Sequence, residues 1–315
     1  MRPLNKFKTT NMKKSKKQLH FAHPLYWPVW SAFGLLWLIT RLPYRVQLKI
    51  GAGIGMLAYY LPTKLKPITA VNIKLCFPEL TPKQQTQLIK KNFASLGIGI
   101  MEAAMAWWLP DNKLQCKARI TGYEHVAEAY AKGKGIILLG PHFTCLEMIA
   151  RLLGMHYSFT ILYRPHKKRL LAYIQERFRV KNNVRYIPRH KVRDLFRSLE
   201  SNQAIWYAYD VDGGDRRGVF APFFDISTSS LTSVSRIAEK SNAAVIPISF
   251  YRLDDEASYE IKLSAALENF PSGDLVADAT RLNAVIEKAI REKPEQYVWQ
   301  YKRFKTRPPG EKRFY

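Results

Sequence analysis

The sequence predicts an α/β protein with a mainly parallel central sheet flanked by helices and an N-terminal membrane-anchoring helix. Three observations carry this. Short apolar, β-branched runs alternate with stretches of helical periodicity from residue 118 to residue 263, the pattern of strand–helix–strand units. Hydrophobic residues make up 47% of 315, enough for a full core and too many for a disordered chain. Leu25 to Thr40, LYWPVWSAFGLLWLIT, runs sixteen residues without a charge.

That uncharged run follows the basic cluster Lys13, Lys14, Lys16 and Lys17 and contains Trp27, Trp30 and Trp37. Indole prefers the membrane–water interface, and basic flanks stay on the cytoplasmic side. Arg41 ends the run with no small-residue cleavage site, which argues against a removed signal peptide. As a helix the run is about 24 Å long, slightly short of a ~30 Å hydrocarbon core. The expected organisation is a basic cytoplasmic N-terminus at 1–24, a membrane anchor at 25–45, and a catalytic domain at 46–315. A second apolar stretch follows at Ile50 to Pro62. After a turn at Pro78 to Pro82 a long helix begins, with Thr81 as N-cap. Gly97 and Gly99 lie inside it, a weakness unless a backbone or a lipid chain packs close.

Strands are expected at Ala118–Thr121, Ile136–Leu139, Phe159–Leu162, Ile205–Tyr209, Val245–Phe250 and Tyr259–Leu263. Helices are expected at Glu124–Ala131, Phe143–Leu153, Arg169–Arg179, Val192–Leu199 and Leu231–Lys240. In open α/β sheets the reactive crevice lies beyond the carboxyl ends of the strands. His142, Arg164 and Asp210 each follow a strand candidate directly. A base, a cation and an acid are thereby delivered to one edge.

His142 and Glu147 lie five residues apart. On one continuous helix that spacing separates them by about 140°. With His142 in the strand–helix turn, Glu147 can instead reach back to the imidazole and orient it. Thr144-x-x-Glu147 also fits a capping box serving only the helix start. Cys145, next to this turn, opens the alternative of an acyl-thioester intermediate, although a buried cysteine is more often packing.

The formal net charge is +25, of which residues 1–20 contribute seven, so the excess is global. It implies an anionic partner: nucleic acid, acidic lipid, phosphorylated substrate or an acidic carrier protein. The tail concentrates Lys302, Arg303, Lys305 and Arg307 around Tyr301 and Phe304. Such a pattern suits nucleic acid, lipid phosphates or an acidic helix, or is a solvated terminus. Cys76, Cys116 and Cys145 are widely spaced and match no metal pattern, as expected of reduced cytoplasmic thiols.

Seven segments in order give a more specific reading: HPLYWPVW at His23, NIKLCFPEL at Asn72, GIGIMEAAMAWW at Gly97, HFTCLE at His142, YRP at Tyr163, VFAPFF at Val219 and PEQYVWQYKRFKTRPPG at Pro294. Through these the chain resembles the lipid A late acyltransferases, the lauroyl-transferring branch of the His-x4-Asp/Glu acyltransferase superfamily. The resemblance implies an O-acyltransferase that moves a fatty acyl chain, lauroyl, onto a 3-hydroxyacyl hydroxyl of Kdo-bearing lipid IVA. It implies acyl carrier protein as donor, its acyl-phosphopantetheine being a substrate, with no resident cofactor and no metal. Inner-membrane lipids would be partners and nucleic acid would not. The catalytic domain would stand on the cytoplasmic face of a Gram-negative inner membrane. His142 would act as general base oriented by Glu147, with Arg164, Asp210 and Asp212 at the substrate or oxyanion. A glycerol-3-phosphate or lysophospholipid acyltransferase shares the His-x4-acid chemistry and is the alternative, but the chain lacks a Glu-Gly-Thr-Arg-like phosphate motif downstream. A membrane-tethered nucleic-acid-binding protein would use the charge but leaves the strand-end residues unexplained.

Overall fold

The computed structural model describes residues 21–114, 117–166, 168–179, 184–254 and 258–315; the basic N-terminus, Cys116 and Lys167 lie outside them. Seven strands form the central sheet: β1 (Ala118–Thr121), β2 (Ile136–Gly140), β3 (Phe159–Tyr163), β4 (Val184–Pro188), β5 (Ala204–Ala208), β8 (Ala244–Arg252) and β9 (Tyr259–Leu263). Their order is β1-β9-β8-β2-β5-β3-β4. Every neighbouring pair is parallel except β8 and β9. The six expected strands are all present. β2 is buried along its whole length, as a parallel strand covered on both faces must be.

Sequence patterning missed β4 and a separate antiparallel hairpin, β6 (Gly218–Phe223) with β7 (Ile226–Leu231). In β4 only Val184 and Ile187 are buried, so an edge strand shows a weak apolar pattern. Pro222 sits within β6, where no third strand needs its missing N–H.

The N-terminal half of the helical layer is built on close backbone approach. Helix α4 (Pro82–Trp108) starts at the expected Thr81, which forms a capping box with Gln84. It crosses α2 (Tyr44–Tyr60) through glycines. A Cβ added at Gly97 would meet the Gly51 carbonyl oxygen at 2.1 Å, and one at Gly99 the Thr144 carbonyl oxygen at 2.5 Å. The helix-weakening glycines are there because backbone packs against them. α3 (Leu65–Cys76) and α6 (Leu146–Gly154) also lie against α4.

The anchor expected at 25–45, spanning or half-inserted, does not form a spanning helix. Among the described residues no helix is long and apolar enough to cross a membrane. The uncharged run folds as α1 (Trp27–Ile39), 13 residues and so about 20 Å long. Pro28 near its start and Arg41 after it limit its length. It lies on α4, with Phe33 stacked on Trp107 at 6.2 Å. Its other side is uncovered: Trp27 and Leu35 are each 60% exposed. The indole N–H groups of Trp27 and Trp30 donate to the carbonyls of Ala22 and Phe21.

Replacing Gly97 by Val should destabilise the protein by about 1–3 kcal/mol, the usual cost of overpacking. Thermal unfolding would register a lower midpoint, with the same secondary structure at low temperature.

Candidate active site

β2 ends at Gly140, and the chain leaves it through Pro141 and His142. β5, its direct neighbour, ends at Ala208 and delivers Asp210 beside it. The two side chains meet: His142 Nδ1 lies 2.7 Å from Asp210 Oδ1. The backbone N–H of His142 donates to the other carboxylate oxygen at 2.8 Å, and the Tyr297 hydroxyl donates to the same carboxylate. One acid therefore grips both the main chain and the ring of a single residue.

An ionised carboxylate can only accept, so Nδ1 carries the proton and Nε2 keeps its lone pair. That is the tautomer a general base needs. The His142 side chain is 38% exposed and that of Asp210 only 2%. Burial by itself would lower the imidazole pKa. The Asp210 charge and hydrogen bond outweigh it and raise the pKa above the ordinary 6.5. For Asp210 burial works upward, and His142 with its two hydrogen bonds more than compensates, holding the carboxyl below the usual range. Trp206 on β5 stands edge-on to the imidazole at 5.9 Å.

Glu147 is placed differently from the expectation. Among the described residues its oxygens are engaged by Arg179 and by the indole N–H of Trp107 (3.3 Å), and the imidazole is held by Asp210. The reason is local. α6 begins at Leu146 rather than Phe143: Phe143 forms a β-bridge with Tyr297, and Thr144–Cys145 make a tight turn before the helix. The capping box is absent too: Cys145 is the N-cap without a side-chain bond, and the Thr144 hydroxyl turns to Ser95 Oγ at 2.8 Å. The Thr144 and Leu146 N–H groups at the start of α6 bond the carbonyls of Gln296 and Phe143.

Asp212 accepts from the backbone N–H and hydroxyl of Thr306, and Asp210 holds His142. Neither holds Arg164, which is exposed after β3. Since β2, β5 and β3 are adjacent, Arg164 does share the carboxyl edge with His142. Cys145 is fully buried and its thiol is pushed up, first by burial and then by Glu102. A thiol held protonated makes a poor nucleophile, so the thioester alternative loses its chemistry.

What sequence reading missed is the support behind the loop. The Val298 N–H donates to the His142 carbonyl at 3.0 Å, and the Thr144 N–H to that of Gln296 at 2.8 Å. The partner segment is itself held by Asn92, whose amide donates to the carbonyls of Glu295 (2.9 Å) and Tyr297 (2.7 Å). Gln296 bonds both backbone groups of Arg252. The basic tail is likewise internal in part. Arg303 is 2% exposed and donates to the Ser229 carbonyl at 2.7 Å and Ser230 Oγ at 3.1 Å. Arg303 is thus structural, not a cation presented to a partner.

Beside this loop an apolar groove of about 350 Å³ opens between α1 and α4, reaching from Phe33 and Leu36 past Ala103 and Trp107 to Phe143, Thr144 and Val298. Trp107 is braced by Glu147 and by Phe178 of α7 (Arg169–Arg179), stacked at 5.6 Å. An imidazole with a free lone pair at a sheet's carboxyl edge, next to a greasy groove, fits acyl transfer to a hydroxyl.

The family defined by these features is shown by comparison. The family described as bacterial lipid A biosynthesis acyltransferase matches residues 14–306. The chain is 35% identical over 302 residues to a lipid A biosynthesis lauroyltransferase of Escherichia coli (strain K12), covering 96% of this chain and 98% of that protein. It is 34% identical over 296 residues to a palmitoleoyltransferase of lipid A biosynthesis from the same organism, covering 94% and 96%. A lipid A biosynthesis acyltransferase of Haemophilus influenzae is 33% identical over 302 residues, covering 95% and 96%. The chain belongs to the bacterial lipid A biosynthesis acyltransferase family and is an acyltransferase of that pathway.

Because Asp210 is what raises the imidazole pKa, Asp210→Asn should lower it. A histidine titration followed by NMR would show the His142 midpoint above 6.5 in the wild type and displaced downward in the variant. An unmoved midpoint would contradict the assignment of Asp210 as its charge partner.

Proposed function

We propose that the protein transfers a lauroyl chain from acyl carrier protein to a 3-hydroxyacyl hydroxyl of Kdo-bearing lipid IVA, at the cytoplasmic face of a Gram-negative inner membrane. The observation that carries the mechanism is the 2.7 Å contact of His142 with Asp210 beside the apolar groove. The lauroyl assignment follows the E. coli lauroyltransferase, with 35% identity over nearly the full length of both chains. Donor and acceptor follow the resemblance set out above.

An alkyl hydroxyl is a poor nucleophile near neutral pH, so attack on a thioester needs a base. In this reading His142 Nε2 takes the hydroxyl proton as the oxygen attacks the thioester carbonyl carbon. The imidazolium formed is stabilised by the Asp210 carboxylate. Collapse of the tetrahedral intermediate breaks the C–S bond, and the leaving thiolate receives that proton. The products are an ester and a free thiol, and His142 is neutral again. Asp210 takes the orienting role first expected of Glu147. Arg164, exposed on the same edge, is available to anionic groups of the acceptor.

The groove suits the acyl chain, each buried CH₂ contributing about 0.8 kcal/mol. Glu147 then acts through Trp107 as a positioning residue for the groove wall. The uncovered face of α1 supports monotopic attachment, with Trp27, Leu35 and Leu38 entering the outer part of a bilayer.

His142→Ala should reduce transfer by about 10²–10⁴-fold, the usual worth of a general base, while the unfolding midpoint stays near that of the wild type. Transfer near the wild-type rate by the folded variant would remove the base role. The wild-type rate should climb with pH through the raised imidazole pKa, since only neutral imidazole accepts the proton; in Asp210→Asn the limb should move to lower pH and the plateau should fall. Glu147→Gln should leave that limb in place and change the preference between twelve- and fourteen-carbon donors. A shifted limb with unchanged preference would return Glu147 to the imidazole.

A further inference from the structure

The segment 164–200 carries twelve Lys or Arg against three Asp or Glu, a strong charge bias. It forms the end of the sheet beyond β3: the loop into α7, the edge strand β4, the loop after it and α8 (Val192–Glu200). Arg169, Arg185, Arg189, Lys191 and Arg193 are exposed. Of its three acids, Glu200 lies at the far end of α8 and the other two are engaged locally. Asp194 pairs with Arg197 at 3.1 Å, and Glu176 accepts from the Tyr163 hydroxyl. The two loops are tied together where the Arg189 N–H donates to the Tyr163 carbonyl at 2.9 Å. Where the loop after β4 enters α8 the surface forms a shallow hollow of about 550 Å³ lined by residues 190–194 and Arg197.

We propose that this cationic hollow is the docking face for the donor protein, an acidic acyl carrier that presents its chain as a thioester on a flexible arm. The inference rests on the donor assignment above and adds where the donor sits. Three features select a protein rather than lipid or the glycolipid acceptor. The exposed cations are spread over two elements and the loop between them, from Arg185 on β4 to Arg197 on α8, rather than gathered at one point. The face is concave, suiting an acidic helix better than a planar bilayer. The exposed tryptophans lie on α1, and of the residues lining the hollow only Val192 is a large exposed apolar side chain. Reach is also adequate. β4 stands three strand spacings from β2, about 14 Å, and both loops leave the same carboxyl edge as His142. A hollow of one sign concentrates an oppositely charged partner and speeds encounter.

The test compares wild-type protein with Lys191→Glu/Arg193→Glu and with the milder Lys191→Gln/Arg193→Gln, using lauroyl-acyl carrier protein and lauroyl-pantetheine as donors. With the carrier, the charge-reversed variant should show a donor KM raised about tenfold or more and a flattened salt dependence. The glutamine variant should fall between, and kcat should stay within about twofold. With lauroyl-pantetheine all three proteins should be equal. A donor KM that does not change overturns the docking face, as does a rise confined to the glycolipid KM or to binding of anionic vesicles. Direct titration of acyl carrier protein onto the catalytically silent His142→Ala protein separates this from the donor assignment. Charge-sensitive binding without any wild-type transfer would overturn the donor and keep the face. Transfer from the carrier with charge-insensitive binding would overturn the face alone.

Discussion

Arg252 and Glu102 are both almost wholly withdrawn from water, and neither charge is tolerable there without the other. Arg252 lies at the end of β8 and meets Glu102 of α4 at 2.8 Å. Removing one partner of such a pair typically costs about 3–5 kcal/mol, because the survivor stays buried. The arginine also donates to Ser95 at 2.9 Å, Ser95 bonds Thr144 at 2.8 Å, and Glu102 accepts from Tyr259 at 2.9 Å. Tyr259 in turn bonds Tyr44 of α2. The chain of contacts joins the sheet, the helical layer and the turn that carries His142 into one polar spine. The register of α4 against the sheet and the position of the catalytic turn are therefore one constraint.

Around that spine the site is made rigid mostly by main-chain contacts. The short bridge between residues 142–144 and 296–298 provides hydrogen bonds that do not depend on the side chains involved. The buried Asn92 amide saturates the outer strand of that bridge, and the buried Gln296 amide ties that strand to the backbone of Arg252. The imidazole is half-exposed, and its contact with Asp210 holds it in one tautomer. Pre-set groups of this kind need no reorganisation when charge develops.

The part of this arrangement written locally was legible in the sequence. GIILLGPH announces a buried strand and a turn, and Thr81 with Gln84 announces a helix start. The convergence of His142, Arg164 and Asp210 followed from strand alternation alone. Partnership was not legible. Asp210 is 68 residues from His142 and Glu147 only five, so proximity along the chain favoured Glu147, whereas the carboxylate in contact with the ring is Asp210. The tail misled for a related reason: Arg303 has the composition of a solvated residue, and nothing nearby in sequence reveals Ser229, Ser230 and Asn283 waiting for it. The uncharged run at 25–40 has the hydropathy of an anchor, but proline and arginine fix its length, and α4 claims one side of it.

The bridge that completes the catalytic turn joins residue 142 to residue 298, and its outer strand is fastened to residue 92. During synthesis the sheet and the histidine emerge long before residues 296–298 exist. A nascent chain thus holds its imidazole on an unfinished turn until residues 296–298 have emerged and packed between α4 and β8. A chain lacking residues 296–298 would keep most of its core and leave the turn at His142 unfastened.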